Sequence, residues 1–486
     1  MVVEELRRRV GGGRGVDARR AEVVGEVRRV VGYIRIPEPV RRVMEVLRRY
    51  GYEVYAVGGA VRDSLMGREP HDWDLATSCP PSVVMDILRR EGFKVYEKGI
   101  EFGTVATNVD GTEIEITTFR REMYREDRGR KPIVEFSTSV EDDVRRRDFT
   151  VNALLADADG RVIDLVGGLR DLLDGVIRFV GDPAERIRED PLRMLRALRF
   201  AAKLGFEIDP ASYEAIRSRW SELRRVSWER IRDEILKAAE TPMFHYFVWL
   251  LYDSNLYRYV MPELEEMDRV RHAPDTPNHY GESVLEHTID VLQRLDEIGA
   301  PPLVKIAALL HDVGKPLVAE GEVSKSFHRH EVVGAERARE ILRRWRMSGR
   351  DIDRIVAAVR WHMLPHQYAV QDMDPKEMAR RLFAKLGPET AMDVLYIAYG
   401  DTGDPRYLEA LREVQRLAEA RERKPLVTGY DIMRRYGLKP GPWIGEIKQA
   451  LYELQLTRNI TSKEQLFEEA EKEGVVQRIL MKYGLS

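Results

Sequence analysis

Strand signals in this chain end at about Gly168. Before it, short apolar runs alternate with turn residues, and after it apolar positions recur at helical spacing among many arginines. Such a chain is expected to fold as α+β, with a mixed sheet and its helices first and all-α domains behind. At 486 residues it is too long for one core, so several domains are expected. The divisions read as an N-terminal extension over 1–33, broken by Gly11, Gly12 and Gly13, then a head over 34–167 and a helical neck over 168–240. A helical domain over 241–425 carries nearly all the histidines, and a helical tail fills 426–486. Inside the head, Asp110-Gly111 between two apolar runs predicts a two-residue hairpin.

Composition excludes several classes. No window approaches the roughly eighteen consecutive apolar residues of a membrane span. The charged N-terminus lacks an apolar signal core, so export is not expected. The one cysteine, Cys79, rules out an intramolecular disulfide framework and fits a reducing cytoplasm. A net charge of -3 argues neither for nor against nucleic acid, but arginines cluster at 145–147, 186–199 and 224–232.

His71-Asp72-Trp73-Asp74-Leu75 puts two carboxylates at i and i+2, which share one face of a strand. Carboxylates that close repel unless a divalent cation lies between them, and magnesium combines a few carboxylates with substrate phosphate oxygens. A solvated turn with two acids is the bland alternative. Upstream, Val54–Val57 runs into Gly58 and Gly59 and then a helix, a turn whose backbone can approach a triphosphate. Asp190 and Arg193 are three apart and can share a helix face. From local sequence alone the favoured reading of Asp190 before Pro191 is an N-cap with proline at the first helical position.

Val57-Gly58-Gly59-Ala60-Val61-Arg62-Asp63, followed by Asp72-Trp73-Asp74, resembles the first motif of the class II CCA-adding enzyme and bacterial poly(A) polymerase family. The resemblance implies a polymerase-beta-like nucleotidyltransferase head. Glu115, in Glu115-Ile116-Thr117-Thr118-Phe119-Arg120, would complete the carboxylate set, with Glu113 as its competitor on the same strand face. The stretch from Asp143 to Ala153 resembles the motif that holds sugar and triphosphate, which points to Asp143, Arg146, Arg147 and Asn152 beside Gly58, Gly59 and Arg62. Glu189-Asp190-Pro191-Leu192-Arg193 resembles the base-reading motif, and Arg196 joins that nucleotide-binding set. In the neck motif around Ser227–Ile235, Arg230 and Glu234 are expected to be buried or bridging charges. A comparable loop in the family supports adding the final A, so the polar loop over 120–134 implies full CCA or A addition. The tail resembles the family's C-terminal segment, read as a packed helical hairpin and as a contact for the outer part of tRNA.

His311-Asp312 ends an apolar helix running to Gly314, and burying the pair is costly unless it is partnered or metal-bound. With His287 upstream and Asp401 downstream, the region resembles the HD phosphohydrolase superfamily over roughly 280–405. His330 and His362 match positions that hold a second metal in some members, whereas His328 and His366 are expected at the surface.

The resemblance implies addition of C, C and A to the tRNA 3′ end from CTP and ATP, with Mg2+ in the head at Asp72, Asp74 and Glu115. A divalent transition metal of unchosen identity is implied for the HD domain, with a hydrolytic activity or a structural role. Alternatives are a poly(A) polymerase, an enzyme adding only CC or only A, or an HD hydrolase or regulator with a vestigial head. No membrane partner is expected.

Overall fold

The computed structural model describes residues 30–70, 72–99, 103–123, 133–274, 281–422, 425–458 and 460–484. His71, most of the expected extension and the centre of the 120–134 loop lie outside the described residues. The chain divides into two compact units, 1–269 with 343–347, and 270–342 with 348–486.

In the first unit an eight-stranded sheet is built from β1 (Val30–Tyr33), β2 (Val54–Val57), β3 (Trp73–Thr77), β4 (Val95–Glu97), β5 (Thr104–Val109), β6 (Thr112–Thr118), β7 (Leu155–Ala156) and β8 (Arg161–Ile163), in the order β1-β8-β7-β2-β3-β6-β5-β4. Only β3 and β6 run parallel. The hairpin expected at Asp110-Gly111 joins β5 to β6, both turn residues having positive φ (53° and 87°). Residues 30–33, assigned above to the extension, are instead the edge strand β1. Its partner lies some 130 residues on, with a register shift at Gly32, so no local pattern announces it.

Helices α1 (Glu38–Arg49), α2 (Gly59–Leu65), α3 (Pro81–Arg90) and α4 (Val140–Arg145) accompany the sheet. Beyond Gly168 come α5 (Pro183–Glu189), α6 (Arg193–Leu204), α7 (Trp228–Ala239) and α8 (Phe244–Asp253). Short strands at Val176–Ile177 and Glu207–Ile208 also pair there, so this region is not wholly helical. Helix α8 buries Phe244, Phe247, Val248, Leu250 and Leu251 and packs on α6. The first unit therefore includes α8 and runs to 269.

The second unit is helical: α9 (Val284–Glu297), α10 (Pro302–Leu310), α11 (His330–Arg344), α12 (Gly349–Trp361), α13 (Met363–Val370), α14 (Pro375–Thr402) and α15 (Pro405–Glu422). Helix α14 is broken at Gly387 (φ 76°), just before Pro388, where a ring cannot continue the ladder. The segment from Val427 to Val476 buries an apolar cluster of its own. No described helix is long and apolar enough to cross a membrane.

Candidate functional site

Strand β3 alternates buried Trp73 and Leu75 with exposed Asp74, and β6 buries Ile114 and Ile116 around Glu115. The two strands are parallel with Asp74 directly opposite Glu115, so both carboxylates leave the same face of the sheet. Asp72 is exposed one residue ahead of β3. Burial pushes the Asp74 carboxyl above the usual carboxylate range although it keeps open surface, and Glu115 and then Asp72 add to the rise. Glu113 falls one residue before the first rung of the β3–β6 ladder, Trp73 opposite Ile114, and so has no such partner. Lys98 Nζ reaches Glu115 at 2.6 Å and Glu113 at 2.7 Å.

Antiparallel pairing of β2 with β3 sets Val57 opposite Asp74, which brings the turn at Gly58 to the carboxylates. Gly58 caps α2 with φ 73°, a conformation open to glycine. A Cβ there would lie 3.5 Å from Arg147 Nη1 and 3.9 Å from Asp74 Oδ2, so turn, carboxylate and guanidinium meet at one point. Arg62, expected on phosphate, is instead 2% exposed. It donates to Asp63 at 2.8 Å and to Asn152 Oδ1 at 2.6 Å, and lies over the Phe200 ring. Those partners hold its Nε and Nη1 in the interior. Asn152 in turn donates to Asp148 Oδ1 at 3.3 Å.

Asp143 is fully buried and holds two arginines. Its Oδ1 accepts from Arg146 Nη2 at 2.6 Å and its Oδ2 from Arg147 Nη2 at 3.0 Å. Burial alone would raise its pKa, but Arg147 and Arg146 outweigh that and hold it below the usual range. These arginines open onto a cleft of about 280 Å³ lined by Arg146, Arg147, Asp148, Asp190, Leu192, Arg193, Arg196 and Arg230. Five guanidinium groups against two carboxylates suit an anionic ligand. Asp190 ends α5: its Oδ1 accepts from Leu192 N at 3.2 Å and its Oδ2 from Arg230 Nη2 at 2.8 Å. It therefore caps the Pro191–Leu192 turn, while α6 begins at Arg193. Arg193 lines the cleft yet is mostly buried, donating to Glu189 at 2.6 Å and to Arg146 O at 3.2 Å. Arg230 bridges as expected but is exposed, whereas Glu234 is buried and accepts from Arg199 at 2.6 Å.

In the second unit six expected ligands converge. A capping box at Ser283 and Glu286 starts α9, placing buried His287 one turn inside it. His287, His311 and Asp401 form one group, and Asp312, His330 and His362 another, with the ligand atoms of each group within 4.8 Å of one another. His311 Nδ1 lies 2.7 Å from Ala308 O, His330 Nδ1 2.8 Å from Phe327 O and His362 Nδ1 2.7 Å from Val359 O. A neutral ring held this way turns a bare Nε2 inward, and the Nε2 atoms of His330 and His362 face each other at 3.1 Å. Two lone pairs at that distance beside a carboxylate suit a cation, so this donor set fits a divalent metal. Burial pushes Asp312 up, but His311 and Lys315 outweigh it and hold the carboxyl well below the usual range. Gly314 does not cap α10 as expected. Its φ is −83°, and a Cβ there would lie 2.2 Å from His330 O, so it is needed for close approach. His328 is exposed, as expected. His366 is not a surface residue: it is half-buried, with Nε2 3.0 Å from Asp401 Oδ2.

The Poly A polymerase head domain model matches residues 54–178, the HD domain model 284–393, and a probable RNA and SrmB- binding site of polymerase A 205–268. A CCA-adding enzyme of Ligilactobacillus salivarius (strain UCC118) is 32% identical over 445 residues, 90% of this chain and 97% of that protein. The chain belongs to the CCA-adding enzyme family. A crystal structure of the Bacillus stearothermophilus CCA-adding enzyme in complex with CTP aligns at a TM-score of 0.60 with 27% identity, covering 90% of this chain and 98% of that one. The Thermotoga maritima CCA-adding enzyme complexed with tRNA_CCA shares the fold at a TM-score of 0.52 and 20% identity, covering 89% and 94%.

Against the family motifs, four residues near these sites escaped the sequence reading. Lys98 sits on Glu115. Lys315 Nζ lies 2.6 Å from Asp312 Oδ2 and 3.0 Å from His272 Nε2, and Tyr407 reaches His366. Lys315, three residues after Asp312, was available from spacing alone. His272 and Lys98 come from distant segments and carry no local signal.

Proposed function

We propose that this chain extends the 3′ end of tRNA with C, C and A from CTP and ATP, without a nucleic-acid template. The observation that carries this is the in-register pair Asp74–Glu115 beside Gly58 and Arg147, continuous through Asp143 with the arginine-lined cleft holding Asp190. The RNA 3′-hydroxyl attacks the α-phosphate and pyrophosphate leaves, so no protein nucleophile is required. Asp72, Asp74 and Glu115 would hold Mg2+, which when bound offsets charge on the triphosphate and activates the attacking hydroxyl. Arg147, braced by Asp143, faces the phosphates, and its fixed guanidinium limits how the chain of phosphates lies. Asp190 accepts from the exocyclic amino group that cytosine and adenine share, and Arg193 donates to ring acceptors. Arg230 holds the second Asp190 oxygen and so sets its direction.

The test offers the purified chain tRNAs ending before CCA, after C and after CC, with CTP and ATP separately and together. Ordered growth that stops at CCA, and is lost in Asp72→Ala, is the expected result. Only C or only A addition makes it a partial enzyme, long A-tails make it a poly(A) polymerase, and no extension refutes the transferase reading. A second reading is favoured by the histidine–aspartate group: hydrolysis of phosphate monoesters or 2′,3′-cyclic phosphates with a divalent transition metal. Phosphate release from monoesters, or opening of 2′,3′-cyclic phosphates to a monoester, that disappears in Asp312→Ala would support it. We place both activities in the cytoplasm, in keeping with the lone buried Cys79.

A further inference from the structure

Asp401 stands near the end of α14, and its two carboxylate oxygens have different partners. Oδ1 faces His287 Nε2 at 2.7 Å, and Oδ2 faces His366 Nε2 at 3.0 Å. His366 lies on α13, four residues beyond His362, and its ring is half-buried. Its other nitrogen, Nδ1, is 3.1 Å from the hydroxyl of Tyr407 on α15, with the two rings packed edge to face at 5.5 Å. Tyr407 is buried, which with Asp404 and Asp401 pushes its phenol up to about 12, so the hydroxyl keeps its proton.

The direction of each hydrogen bond follows from the acceptors. A carboxylate oxygen can only accept, so the His366 tautomer that suits an Asp401 oxygen 3.0 Å away carries its proton on Nε2. A neutral ring then has a bare Nδ1, which accepts from the Tyr407 hydroxyl. Tyr407 O–H thus donates to His366 Nδ1, while His366 Nε2 approaches Asp401 Oδ2 at 3.0 Å. His366 differs in this from His311, His330 and His362, whose Nδ1 atoms face backbone carbonyls and whose Nε2 atoms face inward. Its Nε2 lies instead against the Asp401 oxygen that His287 does not face.

We propose that His366 and Tyr407 are positioning residues for the histidine–aspartate centre, holding Asp401 so that only Oδ1 is presented to a metal alongside His287 and His311. The proposal rests on the reading of this group as a metal centre. Two further contacts serve the same end from the backbone side. Arg294 Nη1 donates to Gly400 O at 2.6 Å and to Asp401 O at 3.2 Å, and Gly400 lets α14 approach α9, since a Cβ there would lie 2.9 Å from Val291 Cγ1. Backbone and carboxylate of Asp401 are thus each fixed by a group that is not itself a ligand. Outer partners of this kind orient a ligand and set its basicity, and their removal typically weakens metal affinity by roughly 10–100-fold.

The experiment uses the full chain carrying Asp74→Ala, so that the head carboxylates do not add binding, and titrates Co2+ calorimetrically while recording its visible d–d spectrum. His311→Ala marks loss of the centre. His366→Ala is expected to weaken Co2+ binding by roughly 10–100-fold and to alter the band pattern as Asp401 turns. Tyr407→Phe, which removes only the hydroxyl and keeps the packed ring, is expected to weaken binding several-fold. His366→Gln, whose amide can still donate to Oδ2, is expected to recover part of the loss. Binding by the parent no better than by His311→Ala would overturn the metal reading itself. Tight parental binding with an unchanged affinity and spectrum in both His366→Ala and Tyr407→Phe would overturn the proposal and leave that reading intact.

Discussion

The ammonium of Lys98 sits 2.6 Å from the carboxylate of Glu115, on the one glutamate of β6 that stands opposite Asp74. Lys98 also reaches Glu113, so contact with the lysine does not distinguish the two acids, but strand register does. Glu115→Gln is expected to lower nucleotide addition by on the order of 100-fold or more, the scale for removing a group aimed at transition-state charge. Glu113→Gln should stay within a few-fold of the parent. Single-turnover extension of a tRNA ending in CC is the measurement, and equal losses in both variants would contradict the assignment.

Arg62 is committed to Asp63 and Asn152 inside the first unit. Its replacement by methionine strands a buried amide oxygen, at a cost of about 1–3 kcal/mol. Thermal unfolding should show that loss, while KM for ATP in the surviving enzyme changes little. A large rise in KM with an unaltered melting temperature would instead make Arg62 a phosphate ligand.

Gly314 packs against the backbone of His330 with no room for a methyl group. Gly314→Ala must push the two segments apart, with an overpacking cost of typically about 1–3 kcal/mol. The bound-metal content of the purified variant should fall, although no ligand has changed. Full metal occupancy in Gly314→Ala would show that the segments can yield.

Asp143 and Asp148 carry carboxyls held below their ordinary value, since their arginine partners outweigh the effect of burial. A group whose folded pKa is depressed contributes stability above its unfolded pKa of about 3.9, and that contribution is lost as pH falls toward the lower folded value. Acid should therefore weaken the first unit between about pH 4 and the folded values of these acids. Asp148→Asn should flatten that part of the stability profile. Parallel acid-unfolding curves for the parent and Asp148→Asn would count against this account.

Local signals carried most of what could be read from residues. Asp110-Gly111 names its own hairpin, and the i, i+2 spacing of Asp72 and Asp74 names a strand face. The convergence of His287, His311, Asp312, His330, His362 and Asp401 followed from family-like spacing. What escaped depends on distance along the chain. Edge strand β1 pairs with a partner far downstream, His272 reaches Lys315 across 43 residues, and Tyr407 reaches His366 across 41. Arg62 was hard to read for another reason: a cation beside a phosphate-binding turn looks the same in sequence whether it faces solvent or an interior amide.

Strand β3 is bonded on both sides, with Asp74 matched to Val57 of β2 and to Glu115 of β6. A slip of one residue on either side would exchange Asp74 with Trp73 or Leu75 and turn the carboxylate into the core. Nucleotide addition after refolding therefore counts molecules with the correct strand alignment, and the specific activity of the correctly aligned fraction should stay constant while its abundance varies.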